Sequence, residues 1–216
     1  MPEPAVHPAR AAPGATLCCH LIAPGERTGV SPDTWSPRVS LARRCVGRMS
    51  AVAETEQALR KWLINTSEQH GAAVMHVAGD ETGAPYAFSV GAWRRFGRPE
   101  VVAIGLPKEV GHAVINTYVQ RAGAGETFVP GQLYDEFLQG CPITIEKIAK
   151  MHYPEYLGSA FAVYAGAGFP ALQLIAATPE GNFPWQPDAP EGFAEYQPVL
   201  TESGEPESWT PGVDGP

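Results

Sequence analysis

The sequence predicts an α+β fold: a single domain in which about three helices pack on a curved, mostly antiparallel sheet. Three observations indicate this class. The first strand-like segments follow one another too closely for helical crossovers, so they must pair antiparallel. Longer segments repeat their apolar residues at helical spacing. Strands and helices then alternate along the chain, as they do where helices cover a sheet.

The individual elements follow from apolar periodicity and from glycine and proline positions. Residues 52–70 place Leu59, Trp62 and Leu63 on one helical face, and Pro107 suits the first position of a second helix. The predicted order is helix 52–70, strands 73–78, 86–90 and 100–106, helix 107–122, strand 127–129, helical turns 133–138, strand 143–148, helix 154–165 and strand 169–177, with 92–99 as a loop.

The two ends of the chain differ in composition from its middle. Residues 1–48 hold seven prolines and residues 179–216 hold eight, whereas the 130 residues between them hold seven. Segments with much proline and little apolar periodicity bury too little surface to offset their ordering entropy. The sequence therefore predicts a domain at 49–187, a disordered N-terminal tail at 1–48 and an acidic, proline-rich disordered tail at 188–216.

Met49 lies between the proline- and arginine-rich stretch and the first predicted helix. This position suggests that Met49 is the true translation start. In that case residues 1–48 are upstream sequence read in frame.

Charge and cysteine content restrict the class of partner and the compartment. The net charge is -8, and the last 38 residues carry eight acidic residues and no Lys or Arg. No nucleic-acid partner is expected, because such binding needs a basic face. No membrane partner is expected, because no apolar run approaches the roughly 20 residues that span a bilayer. Cys141 is the lone cysteine of the predicted domain, which favours a reducing, cytoplasmic setting.

The common catalytic motifs are absent from the sequence. It contains no G-x-x-x-x-G-K-[ST], no G-x-S-x-G and no H-E-x-x-H. Residues 166–171 fit G-x-G-x-x-A, but a helix precedes them and a strand follows, which reverses the order of a dinucleotide site. The histidines lack metal-ligand spacing, so we expect no metal and no cofactor. Whether the protein is an enzyme stays open.

The candidate ligand-binding residues form an arginine-rich group and an aromatic group. Arg94, Arg95 and Arg98 lie beside Trp93 in the predicted loop 92–99 and could receive an anionic ligand or an acidic partner segment. They could equally hold their own loop through backbone carbonyls and Glu100.

The aromatic group consists of Tyr86, His152 and Trp185. His152 precedes a helix start and could reach a pocket, or it could be an ordinary satisfied histidine. Trp185 could wall a ligand groove or simply anchor the sheet edge. If both groups belong to one site, their side chains converge on one concave pocket.

Two motif blocks, PYAFSVGAWRRFGRPEVVAIGLP and PALQLIAATPEGNFPWQP, carry a family resemblance. The matching residues are Tyr86, Val90-Gly91, Gly97, Pro99-Glu100, Gly105-Leu106-Pro107, Tyr156-Leu157-Gly158, Tyr164, Leu172-Gln173-Leu174, Gly181 and Phe183-Pro184-Trp185. They resemble a bacterial domain of unknown function, DUF4262, over roughly residues 70–187. The resemblance implies a small cytoplasmic bacterial α+β protein and no established reaction.

This chain departs from the family pattern at three places. Arg98 stands where the family pattern has histidine, Ala92-Trp93 where it has Leu-Trp or Leu, and Ala177-Thr178-Pro179 where it has Trp-Pro-Asp. A function that used that histidine or that aspartate would be lost in this member.

Three functions remain open on the sequence. The first is a non-catalytic module that binds a small molecule or a protein partner, which the arginine-aromatic loop favours. The second is an enzyme or cofactor binder resembling a flavin split barrel, which the antiparallel core favours. The third is an immunity-type partner protein, which the small size and the acidic end allow.

Overall fold

A computed structural model describes residues 41–208 except residue 82, with side chains from residue 54 onward. Its helices and strands are α1 (Leu41–His70), β1 (Ala73–Val77), β2 (Tyr86–Val90), α2 (Ala92–Phe96), β3 (Glu100–Ile104), α3 (Lys108–Gly123), β4 (Leu133–Tyr134), β5 (Ile143–Lys147), α4 (Tyr153–Tyr156), β6 (Ala171–Ala176) and α5 (Phe193–Tyr196), with 3₁₀ turns at Lys150–His152 and Gly158–Ala162. The predicted α+β class is confirmed.

The six strands form one open sheet in the order β1-β2-β3-β6-β5-β4. Its first half, β1-β2-β3, and its second half, β6-β5-β4, are each antiparallel. A parallel pairing of β3 with β6 joins the halves, with Glu100 beside Ala171 and Ala103 beside Leu174. The sheet is therefore mostly antiparallel, as the sequence predicts.

Helices cover both faces of the sheet, and the side chains of β3 pack against both helical layers. Val101 and Ala103 pack in the core under α3, whereas Val102 and Ile104 pack in the core under α1 and α4. A strand that is covered on both faces has no polar side to present, so its sequence is apolar throughout after Glu100.

The first helix begins earlier than the sequence predicts. It starts at Leu41 rather than at residue 52, so residues 41–48 of the predicted N-terminal tail are helical. Residues 1–40 of that tail lie outside the described residues. Leu59 and Leu63 face the core as predicted, whereas the side chain of Trp62 is 49% exposed.

Four other predicted elements differ from the structure. The predicted loop 92–99 contains α2, and the predicted helical turns at 133–138 begin with β4, which pairs with β5. Residues 127–129 form no strand; Phe128 packs in the core under α3 instead. The predicted helix 154–165 breaks after α4, because Leu157 leaves helical geometry with φ −126° and ψ 21°.

The predicted domain end at residue 187 is wrong. Residues 193–208, here called the C-terminal segment, lie against the sheet. Val199 and Leu200 are buried, and Leu200 packs in the core under α1 and α4. Only residues 209–216 of the predicted acidic tail lie outside the described residues. The prediction of a disordered tail rested on the high proline and acid content of this segment. A short segment can nevertheless dock on a domain through only a few buried side chains.

Two buried glutamines fasten the C-terminal segment to β6. The Gln173 side-chain amide donates to the Pro198 carbonyl at 2.7 Å and accepts from the Leu200 N–H at 2.8 Å. The Gln197 side chain likewise accepts from the Ala176 N–H at 3.1 Å and donates to its carbonyl at 2.8 Å. Each amide therefore satisfies a backbone donor and a backbone acceptor that would otherwise be buried without partners.

A buried carboxylate holds the last described residue. Glu146 on β5 is completely buried and accepts hydrogen bonds from the hydroxyl of Ser208 at 2.6 Å and from its N–H at 3.3 Å. These bonds compensate for the cost of burying the carboxylate, and they extend the docked segment from β6 to β5, the strand next to the edge strand β4.

Candidate ligand-binding pocket

A pocket of 430 Å³ opens at the carboxyl end of β3. Its walls are the β1–β2 turn, the ends of β2 and β3, α4 and the C-terminal segment. It is lined by Val77, Ala78, Asp80, Gly83, Ala84, Tyr86, Ile104, Glu155, Tyr156, Glu195 and Pro198. The lining thus combines two tyrosine rings and an apolar floor with three carboxylates, and it contains no Lys or Arg. We call this site the tyrosine pocket.

The two tyrosines of the tyrosine pocket are fixed by contacts with each other and with α4. The ring centroids of Tyr86 and Tyr156 lie 5.1 Å apart in an edge-to-face arrangement. The Tyr86 hydroxyl donates to the backbone carbonyl of Glu155 at 3.0 Å. Tyr86 also stacks on Phe88 within the same strand, at 6.1 Å between centroids. The ring faces are therefore set by the packing before any ligand arrives.

The electrostatic environment of the tyrosine pocket is negative. Burial, together with the charge of Glu155, raises the pKa of Tyr86 above its ordinary value. Burial, Glu155 and Tyr86 raise the pKa of Tyr156 in the same direction. Both phenols are thus held neutral, while the carboxylates of Asp80 and Glu195 add negative charge at the rim. Such a pocket favours a cation over an anion.

His152 lies beside Tyr156 of the tyrosine pocket but does not line the pocket itself. Its ring is 6.4 Å from the ring of Tyr156, centroid to centroid. Its Nε2–H donates to the Thr201 carbonyl at 3.2 Å, which ties the 3₁₀ turn Lys150–His152 to the C-terminal segment. A carbonyl can only accept, so this bond fixes the Nε2-protonated form. In this structure His152 is a bonded histidine rather than a pocket residue.

The three candidate arginines point in different directions. Arg94 pairs with Glu68 of α1 at 3.1 Å, and both side chains are exposed. Arg98 donates to the Thr127 hydroxyl at 3.0 Å and to the Gly125 carbonyl at 2.8 Å, so it holds the loop after α3. Arg95 is exposed on α2. The structure does not bring these guanidinium groups together on one anion-sized site.

The two candidate tryptophans also lie apart. Trp93 is exposed on α2. Trp185 stacks on the buried ring of Phe183, with centroids 5.1 Å apart and planes only 5° from parallel. It packs on Ile175 and Val199, beside the end of β6. Of the seven candidate residues, Tyr86 alone lines the tyrosine pocket.

The sequence prediction missed most of the pocket for identifiable reasons. Glu195 lay in the segment assigned to the acidic tail, and Asp80 and Glu155 are isolated acids in a turn and in a helix. Tyr156 belonged to the quoted family motif but was assigned only to a core helix face. Its YPEY context, with an acid directly before the ring, is the one local signal that could have raised it as a candidate.

Glu100 is the most constrained polar residue near the family motif. Its carboxylate is completely buried and accepts hydrogen bonds from the N–H groups of Gly91 at 2.8 Å and Trp93 at 3.1 Å. The hydroxyls of Ser89 and Tyr164 donate to the same carboxylate. Donors from β2, the start of α2 and the segment before β6 therefore meet at one carboxylate. Glu100 and the four residues that donate to it are here called the Glu100 cluster.

Gly91 permits the Glu100 cluster to form. Its φ of 123° is a conformation that side chains rarely adopt, and an added Cβ would lie 2.3 Å from Cβ of Ser67 on α1. A residue with a side chain would therefore both strain the backbone and push α1 away from the sheet.

The buried tyrosines predict a loss of stability at alkaline pH. Burial is the main cause that raises the pKa of Tyr153 to about 12, and it raises those of Tyr118 and Tyr164 further. The folded pKa lies above the unfolded value of 10, so the stabilisation is complete below pH 10 and is lost as pH rises through 12. For Tyr153 the loss amounts to about 3 kcal/mol.

Chemical denaturation between pH 9 and pH 12 measures this loss. In Tyr153→Phe, we expect a lower stability at neutral pH, because the bond to the Phe169 carbonyl at 3.1 Å is lost, and a shallower decline with pH. Tyr196→Phe, at a ring that is 48% exposed, is the matched control. An equal decline in both variants would contradict the assignment to Tyr153.

The comparisons with known proteins identify a family. Residues 66–190, more than half of the chain, match the family described as Domain of unknown function (DUF4262). The chain belongs to the DUF4262 family. This DUF4262 domain gave no match among curated proteins and none among solved structures. The matched region contains the Glu100 cluster and most of the tyrosine pocket, but it ends before the C-terminal segment that supplies Glu195.

The family motifs of the DUF4262 domain correspond to defined structural roles. Gly91 and Glu100 belong to the Glu100 cluster, and Gly97, with φ 64°, ends α2. Arg98, in place of the expected histidine, bonds the loop after α3. Within the part of the chain that the structure describes, no group of three or more His, Cys, Asp or Glu could hold a metal ion, and no helix is long and apolar enough to cross a bilayer.

Proposed function

We propose that this DUF4262 domain is a non-catalytic binding module whose tyrosine pocket takes a small cationic group. The observation that carries the proposal is the combination of two preoriented tyrosine rings with the three carboxylates of Asp80, Glu155 and Glu195 around one concavity. Aromatic faces and nearby carboxylates both attract cations, and a cavity of this size suits a ligand of side-chain dimensions.

The ionisable groups that the protein itself bonds most fully support a binding role rather than a catalytic one. Glu100 and Glu146 are buried and saturated with hydrogen bonds from the protein itself. The Lys150 ammonium donates to the Ala167 carbonyl at 2.8 Å and to the Tyr153 hydroxyl at 3.0 Å, and it lies 4.1 Å from the Tyr153 ring centroid. Groups bonded in this way stabilise the fold, and their hydrogen bonds within the protein leave them poorly placed to contact a substrate.

The proposed setting is the bacterial cytoplasm. The family resemblance supports a bacterial origin, and the single domain cysteine supports a reducing compartment. Fractionation of cells that express the protein from its own promoter would test the compartment.

Calorimetric titration with choline tests the proposed function. We expect choline to bind about tenfold more tightly than 3,3-dimethyl-1-butanol, its uncharged carbon isostere, because a cation–aromatic contact contributes roughly 0.5–2 kcal/mol. Tyr156→Leu and Glu155→Gln should each weaken choline binding. Glu180→Gln removes an exposed carboxylate that does not line the tyrosine pocket, so it is the matched control and should bind as the wild type does.

Three results would contradict the cation-binding proposal. Equal affinity for choline and its neutral isostere would remove the charge preference, and binding of inorganic phosphate instead would favour the arginines of α2. A flavin-like absorbance band near ~450 nm in purified protein would favour the cofactor-binding alternative.

A further inference from the structure

The sheet has one protected edge and one open edge. β4 forms the far edge and is only two residues long. β1 forms the other edge with the sequence AVMHV, and within the described residues it pairs with β2 alone. It contains no proline, lysine or acid, which are the residues that usually prevent an edge from pairing with another chain. β1 is thus the edge that can accept a further strand.

A groove of 420 Å³ runs along the open edge, between α1 and α3. Its walls are two stripes of side chains spaced four residues apart: Trp62, Thr66 and His70 on α1, and His112, Asn116 and Gln120 on α3. Trp62 is half exposed, which is unusual for so large an apolar side chain. The groove therefore leaves both the strand edge and an aromatic ring accessible.

The charge of the groove indicates what occupies it. The residues that line it include no Asp, Glu, Lys or Arg, although the chain carries a net charge of -8. When two copies pair about a two-fold axis, each residue near the axis meets its own counterpart, so any charge there would face the same charge. An uncharged edge in an acidic protein therefore suits self-pairing. A charged peptide would meet no oppositely charged side chain among the residues that line the groove.

We propose that the β1 edge and its groove bind a second copy of this chain, with β1 antiparallel to β1 of the other copy. The sheet then continues through both copies, and the backbone groups of the edge gain partners. Asn116 is the middle residue of the α3 stripe, and Thr66 is the middle residue of the α1 stripe. A two-fold axis through the middle of the groove places each of them next to its own counterpart. The Trp62 ring becomes covered.

Sedimentation velocity on the full chain tests this dimer. We expect a dimer at about 100 µM, where a complex with micromolar Kd is nearly complete. Asn116→Glu alone and Asn116→Lys alone should each raise the Kd at least about tenfold, because like charges then meet at the axis. An equimolar mixture of the two variants should restore the dimer, because the charges become complementary.

Matched variants keep the test independent of folding defects. Leu133→Glu alters a side chain that is 48% exposed on β4, close to the exposure of Trp62, and it should leave the dimer intact. If the Asn116 variants fail to fold, the same pair of substitutions at Thr66 replaces them. A wild type that stays monomeric at 100 µM overturns the proposal, as does a dimer that neither pair of charge variants weakens.

Discussion

Glu100→Ala is expected to lower the free energy of unfolding by at least about 3 kcal/mol, since each buried donor left without a partner costs roughly 1–3 kcal/mol. Four donors converge on this carboxylate: the N–H groups of Gly91 and Trp93 and the hydroxyls of Ser89 and Tyr164. A typical domain is stable by only about 5–15 kcal/mol, so the variant should be strongly destabilised or fail to fold. Urea denaturation followed by circular dichroism measures the change.

Two further variants separate the carboxylate from the volume it fills. Glu100→Gln keeps the shape and one acceptor oxygen but turns an amide group toward the donors, so we expect a smaller loss than for alanine. Glu180→Gln, at an exposed acid on the turn after β6, should change the stability by less than about 0.5 kcal/mol. If Glu100→Ala lost no more than this control, the Glu100 cluster would not stabilise the fold.

Deleting residues 188–216 is expected to have a comparably large effect. The deletion removes Val199 and Leu200, whose burial contributes about 1.5–3 kcal/mol each, and it removes the hydrogen-bond partners of the Gln173 amide and the Glu146 carboxylate. The truncated chain should therefore be largely unfolded or should aggregate through the uncovered face of β5 and β6. Thermal melting and size-exclusion chromatography measure this outcome.

A chain that ends at Ser208 is the matched control for that deletion. It keeps every described contact of the C-terminal segment, so it should melt close to the full chain. If the chain that ends at residue 187 melted at the same temperature as this control, residues 188–208 would behave as the solvated tail that their composition predicts.

The sheet and its helices could be predicted because their signals are local. The hairpin strands, the apolar run of β3 and the helical spacing of α3 each reside in one short stretch of sequence. The parallel pairing of β3 with β6 could not be predicted, because it joins residues about seventy positions apart and leaves no local trace. Proline and acid content masked the C-terminal segment, whose docking depends on only a few side chains.

The candidate site was harder to predict than the fold. Tyr86 was found because its strand carries a family motif, whereas its partners in the tyrosine pocket come from a turn, a short helix and the C-terminal segment. Arg94, Arg95 and Arg98 looked like a site because they lie close together in sequence, but Arg94 bonds to α1 and Arg98 bonds to the loop after α3. Which distant side chains meet at one site depends on the fold, so the density of charge along the sequence does not predict it.

The division of the sheet into two antiparallel halves has a consequence for how the chain acquires its structure. Each half is continuous in sequence, with β1 to β3 between residues 73 and 104 and β4 to β6 between residues 133 and 176. The longest connection within either half is residues 148–170, whereas residues 105–170 separate β3 from β6, so each half can form early at the smaller entropic cost. The slow step is then the meeting of β3 with β6, and substitutions along that seam should slow refolding more than substitutions of equal cost in either hairpin.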